Sequence, residues 1–344
     1  MPNSTDFVSG IVNDPVRLLH RYDETEDRFH FIRVPRELHR QCTFLTKEHL
    51  PEDIDTAILQ RSDTVAHCRP RAPLHFLFHS GYCCSTMLAR AFDIEGLSMG
   101  LKEPVILNDM VGWRRRGGHP PKIAEVLDQS MNWLSKPLTE GETIVIKPSN
   151  IVNSLAVGML AMRPQARALL IYAPMKTYLQ SIAKKNLDGR LWVRTLLIGQ
   201  IRDQMIAPFG MTQEDILQLS DLQVAALTWL AQQAQFASII ERVGTERIRS
   251  LNSETFLANQ RDTMRNLAEL FQLDMDEEIL DGVLQGPAFT RHSKHEQKFD
   301  AASRVEEHTD AAQVHADEIA KVAHWAGILA DRMGISMTLD SSLI

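Results

Sequence analysis

The chain is poor in the features that define several large protein classes. Its 344 residues include only four cysteines, Cys42, Cys68, Cys83 and Cys84, too few for a disulfide scaffold at this length. No apolar run approaches the roughly 20 residues needed to span a bilayer. Met1 is followed by the polar PNSTD, with neither a basic n-region nor an apolar h-region, so no signal peptide is expected. Basic residues do not dominate either. A net charge of -7 leaves no broad positive surface for wrapping duplex nucleic acid, while a local basic pocket for a polyanionic small ligand stays open. There is no internal repeat and no low-complexity linker. These absences lead to an expectation of a soluble cytoplasmic protein with neither membrane nor nucleic acid as partner. Oligomeric state is not legible in the sequence.

What is present is ordinary globular material. The apolar fraction is 44% and the charged fraction 24%, enough for a full core, and the length suits one large domain with or without appendages. Residues 1–72 mix extended pieces such as RFHFIRV with turn clusters such as YDETED, and are expected to form an N-terminal extension packed on the core. From residue 73 onward the pattern changes to strands alternating with helices. LHFLFH (74–79), LSMGLKEP (97–104), ETIVIKPSN (142–150) and ARALLIYAP (166–174) are near-continuous apolar runs with turn residues or charge at their ends. Helical spacing follows in STMLARAFD, in PPKIAEVLDQSMNWL (120–134) with proline at its start, and in MKTYLQSIAKK. Strands without polar alternation argue for a parallel sheet with helices on both faces. Residues 190–245 are strongly helical, RIRSLNSETFL supplies a late strand, and NQRDTMRNLAELFQL and about 311–333 are further helices. GPAFTRHSKHEQKFDAASR is polar and basic, a loop. The expected fold is one α/β domain over 73–344 with a helical C-terminal half.

The junction of the first apolar strand with the next helix reads His79-Ser80-Gly81-Tyr82-Cys83-Cys84-Ser85-Thr86. Backbone N–H groups in such a loop, together with the helix dipole, favour an anion, and Ser85 and Thr86 add hydroxyl donors. Compared with the phosphate-loop pattern GxxxxGK[ST], only the terminal hydroxyl fits; a plain strand-to-helix turn capped by Ser80 or Ser85 is the competing reading. Cys83 and Cys84 near a helix N-terminus are candidates for reactive thiols. With His79, His67 and Cys68 they also raise a zinc site. The spacing matches no CxxC pattern, and adjacent residues seldom both ligate one ion. The favoured expectation is small apolar fillers and no metal.

Taken in order, residues of about 74–300 resemble the sulfotransferase family of P-loop-fold proteins, particularly its bacterial members. GYCCSTML (81–88) is a variant of that family's PRSGTT[LW]L loop. GLKEPVIL (100–107) matches its strand ending in KEP. YAPMKTYLQS (172–181) keeps the proline and serine of its Arg-x-Pro…Ser pattern for a 3′-phosphate. LNSETFLANQRDTMRNLAELFQL resembles its later E-x-[LF] stretch, and RHSKHEQKFD (291–300) its nucleotide-closing loop. Residues 1–70 are not covered.

The resemblance implies 3′-phosphoadenosine 5′-phosphosulfate as donor and transfer of a sulfuryl group to a hydroxyl or amine of an unknown acceptor. It places Ser80, Gly81, Tyr82, Cys83, Cys84, Ser85 and Thr86 at the 5′ side, and Ser181, Lys185 and Arg190 near the 3′-phosphate. Arg291 and Lys294 belong to the closing loop. Glu103 is the candidate general base and Lys102 a catalytic cation, with Lys147 and Lys184 as further cations and His79 and His119 as lesser bases. WRRRGGHPP (113–121) is a basic, glycine-bearing loop that either binds an anionic acceptor or is simply solvated. Two departures stand out. The family's loop cation aligns with Tyr82, and the arginine of its 3′-phosphate pattern aligns with Tyr172 or, one register on, Ala173. Two other readings stay open: a degenerate fold that binds a nucleotide or partner protein, and a P-loop kinase. The kinase lacks both a loop lysine and an evident magnesium-binding aspartate.

Overall fold

Five strands form one parallel sheet in the order β5-β6-β4-β7-β8: β4 (Leu74–His79), β5 (Ser98–Lys102), β6 (Thr143–Lys147), β7 (Ala168–Tyr172) and β8 (Ile248–Asn252). The computed structural model describes residues 4–290 and 301–344. Every residue of β4, β5, β6 and β7 is buried, which is why these strands read as unbroken apolar runs rather than as alternations. The four early strands and the late one all lie where the sequence places them. The proline-initiated helix spans Pro120–Leu134, because proline costs nothing at a helix N-terminus, where its missing N–H would have no intrahelical partner. The strongly helical stretch at 190–245 holds three α-helices, Asn186–Arg202, Gln213–Leu217 and Asp221–Val243, with a short 3-10 helix at Ala207–Phe209. The last two α-helices open on capping boxes at Thr212 and Ser220.

The chain divides into two compact units. The first comprises Met1–Phe78, Thr86–Ala168 and Ala268–Ala288. In it, β1 (Arg17–Asp23), β2 (Arg28–Arg33) and β3 (Thr56–Gln60) form an antiparallel sheet, with the YDETED cluster spanning the β1–β2 turn. Polar links hold this sheet and the helix Ser4–Asn13 to their surroundings. Asp109 accepts from Arg21 Nε at 2.8 Å and from the Tyr22 N–H at 3.0 Å. Arg61 bonds Glu125 and Gln129. Lys136 Nζ donates to the carbonyls of Val12 and Asp14. Strands β4, β5 and β6 lie parallel, with Lys102 in register with Lys147. Behind β5 the packing is tight enough to require glycine at residue 100: a Cβ there would lie 1.8 Å from the Ala89 carbonyl oxygen, on the helix Ser85–Ala91.

The second unit comprises His79–Ser85, Leu169–Leu267 and Phe289–Ile344. Its helices Met175–Lys184, Asn186–Arg202, Asp221–Val243 and Ala301–Met333 pack on one another. One sequence expectation is corrected in this region. The stretch expected as a loop from Gly286 to Arg304 is helical at both ends, over Pro287–Thr290 and from Ala301. Arg291 and Lys294 lie outside the described residues.

Candidate functional site

The loop after β4 is built from backbone in the left-handed region. Gly81, Tyr82 and Cys84 have φ of 90°, 54° and 64°, and only glycine adopts such angles without steric cost. Three of the four residues from Gly81 to Cys84 thus lie in the left-handed region. Ser80 is fully buried and its N–H donates to the Ile171 carbonyl at 3.1 Å, which fixes where the loop leaves the sheet. His79 is buried, and its Nδ1 accepts from the Gly81 N–H at 3.1 Å, so the imidazole braces the turn. Ser85 and Thr86 open the helix Ser85–Ala91, both buried. Cys83 is buried and Cys84 half-buried. Among the described residues no group of three metal-ligating side chains comes together.

Tyr82 stands where the resemblance places a cation. Its ring meets Trp192 edge-on at 5.2 Å and Tyr178 at 6.0 Å. Burial, with a smaller contribution from the Asp188 carboxylate, pushes its hydroxyl up to about 12, so it stays neutral at physiological pH. Tyr172 accepts a hydrogen bond from the Leu339 N–H at 3.4 Å, and the Ala173 carbonyl accepts from Trp229 Nε1 at 2.9 Å. Of the 3′-phosphate candidates in the same unit, Ser181 donates to the Thr177 carbonyl one turn back. Lys185 is exposed between two helices, and Arg190 pairs with Asp221 at 3.7 Å.

In the first unit, the end of β5 and the end of β6 hold the other candidates. Lys102 is buried and donates to the carbonyls of His39 and Cys42; burial, then the nearby Arg90 guanidinium, pulls its ammonium down to about 8. These bonds tie the end of β5 to residues 39–42. Glu103 is left-handed, with φ of 56°, and its carboxylate accepts from Lys147 Nζ. Lys147 also lies over the Phe44 ring, 5.2 Å from its centroid. The partner of Glu103 is thus Lys147 rather than its sequence neighbour Lys102. Glu103 follows the last residue of β5, and its N–H donates to the Lys147 carbonyl at 2.7 Å, which brings the two residues together.

The expected basic loop at 113–121 is shorter than expected: Trp113–Arg115 end the helix Ile106–Arg115 and Pro120 opens the next, leaving 116–119 outside both. Arg114 donates to the Ser154 side chain and carbonyl, and Arg116 pairs with Glu24. His119 is exposed and precedes the helix Pro120–Leu134. The reach of Phe44 to Lys147 was not legible in sequence, since residues 1–70 carry no recognisable pattern. No helix among the described residues is long and apolar enough to cross a membrane.

No family model matches the sequence, and no curated protein does. Solved structures with a similar fold include the sulfotransferase domain from the curacin biosynthetic pathway, at 11% identity over 72% of this chain and 98% of that one, with a TM-score of 0.41. Sulfotransferase STF9 from Mycobacterium avium matches at 12% identity over 71% of this chain and 77% of its own, TM-score 0.43. Sulfotransferase STF1 from Mycobacterium tuberculosis H37Rv matches at 10% identity over 71% and 78%, TM-score 0.36. Likeness at this level assigns no role to any residue of this chain.

Proposed function

We propose that the chain is a sulfuryl transferase that uses 3′-phosphoadenosine 5′-phosphosulfate as donor and a hydroxyl or amine as acceptor. The observation that supports this most is the loop 80–86. It leaves a fully buried strand through Gly81, Tyr82 and Cys84 in left-handed conformation and enters a helix at Ser85, an arrangement suited to a phosphate.

In the proposed reaction the acceptor oxygen or nitrogen forms a bond to sulfur. The bond from sulfur to the bridging oxygen breaks, its electron pair staying on the 5′-phosphate. The acceptor proton passes to the Glu103 carboxylate, which Lys147 orients. The products are the sulfated acceptor and adenosine 3′,5′-bisphosphate. The loop N–H groups and the hydroxyls of Ser85 and Thr86 stabilise charge growing on the leaving phosphate. Ser181, Lys185 and Arg190 serve the 3′-phosphate, and no metal takes part.

Tyr82 and Tyr172 in place of two cations favour one competing reading, a nucleotide-binding protein without turnover. Incubation with labelled phosphosulfate and a panel of alcohols and amines separates the two. Acceptor-dependent release of adenosine 3′,5′-bisphosphate, reduced by about 100-fold or more in Glu103→Gln, supports transfer. Binding of the bisphosphate without release against any acceptor supports the competing reading.

A further inference from the structure

The helix Asn186–Arg202 is apolar on two sides. Val193, Leu196 and Leu197 on its inner side are buried. Leu187, Leu191, Ile198 and Ile201 on the other side are 41–66% exposed. At 100° per residue those four, with Arg194 between them, fall within a stripe about 80° wide. A helix that is apolar all round is normally covered all round, and contiguous exposed apolar surface marks an interaction site.

The spacing says what covers it. Positions 187, 191, 194, 198 and 201 run in steps of four and three, the heptad seam of a helix pair. The stripe is also its own mirror about residues 194–195: Leu187 matches Ile201, and Leu191 matches Ile198. One flank of the seam carries Asp188, Thr195 and Arg202, seven residues apart. In an antiparallel pair of identical helices, equivalent flanks face each other in reverse order. Asp188 then meets Arg202 of the second copy, twice by symmetry, and Thr195 meets its equivalent at the axis. A parallel pair sets this flank against the opposite one, where Arg190 faces Thr195 and the pairing of charge is lost. Arg194, at the centre of the seam, has its charge balanced within its own chain, since its Nε donates to Asp221 Oδ1 at 2.7 Å.

We propose that the chain forms a two-fold symmetric dimer through antiparallel pairing of its Asn186–Arg202 helices, an isologous interface. The interface is independent of the proposed reaction. Its surface lies on the helix that also presents Trp192 to Tyr82 of the loop.

Sedimentation equilibrium of the full chain over a wide concentration range tests this. The expected mass is twice the chain's 39.0 kDa. Because the substituted side chains are exposed, Leu191→Glu/Ile198→Glu is expected to give a folded monomer, verified by an unchanged circular dichroism spectrum. Asp188→Arg and Arg202→Asp are each expected to raise the dimer dissociation constant about tenfold or more, since each breaks two symmetric pairs. The double exchange Asp188→Arg/Arg202→Asp is expected to restore it. A chain that is monomeric at every concentration overturns the proposal, as does a dimer indifferent to Leu191→Glu/Ile198→Glu. A monomer that instead sediments with anionic lipid vesicles, and loses this with the same variant, assigns the face to a membrane and overturns it too.

Discussion

The Glu103 N–H donates to the Lys147 carbonyl at 2.7 Å, and the Lys147 ammonium returns a bond to the Glu103 carboxylate. The two residues close a clasp between the ends of β5 and β6. Lys147 is almost fully enclosed, with 1% of its side chain exposed against 17% for Glu103. Such a pair is costly to break from one side only, because the remaining charge has no water to turn to.

Glu103→Ala is therefore expected to destabilise the fold by about 3 kcal/mol. Adding Lys147→Met should recover more than half of that loss. Urea unfolding of the two single variants and the double variant measures the coupling. Simply additive losses would contradict a buried, mutually dependent pair.

The left-handed backbone at Glu103 gives a second expectation. Glu103→Gly and Glu103→Ala remove the same carboxylate, so their difference isolates the conformation. Glycine should be the more stable by about 1 kcal/mol. Equal stability would mean that the residue is not held at positive φ in solution.

Gly100→Ala places a methyl group 1.8 Å from the Ala89 carbonyl oxygen. Backbone does not yield as a side-chain tip does, so β5 and the helix Ser85–Ala91 must separate. A loss of about 2 kcal/mol or more is expected, read as a lower urea midpoint. A neutral effect would show that this helix does not lie so close to the strand.

Lys136 gives a pH dependence. Burial, then the Arg71 charge, brings its ammonium from an ordinary 10.5 down to about 7 in the folded chain. Between those two values the unfolded chain holds a proton that the folded chain has released. Unfolding takes up that proton, so stability rises with pH across the window. The wild-type urea midpoint should accordingly climb relative to Lys136→Met between pH 7 and about 9. Parallel curves would contradict the shift.

The parts of the fold that were readable are those fixed by local pattern. Strands β4 to β7 are buried throughout, so their short apolar runs, bounded by turn residues or charge, read as covered strands. The proline before Lys122 marked a helix start. Contacts made over long sequence distances were not readable. The KEP string gave no sign of the two carbonyls that the Lys102 ammonium bonds, which lie 60 and 63 residues earlier. The carboxylate after it found its partner 44 residues later, on β6. Arg114 and Arg116 read as an open basic loop and are instead bonded to Ser154 and Glu24. At the loop, composition suggested an anion site, whereas the positive φ of Tyr82 and Cys84 had no sequence signal, since neither is a residue that favours it.

A donor nucleotide on residues 80–86 is the central claim, and thermal unfolding with adenosine 3′,5′-bisphosphate tests it most directly, because a ligand bound only by the folded state raises the midpoint by mass action. The expected result is a concentration-dependent rise with the bisphosphate, smaller with ATP and magnesium, and lost in Ser85→Ala/Thr86→Ala. No rise with the bisphosphate, or an equal rise in the wild type and that variant, would contradict it.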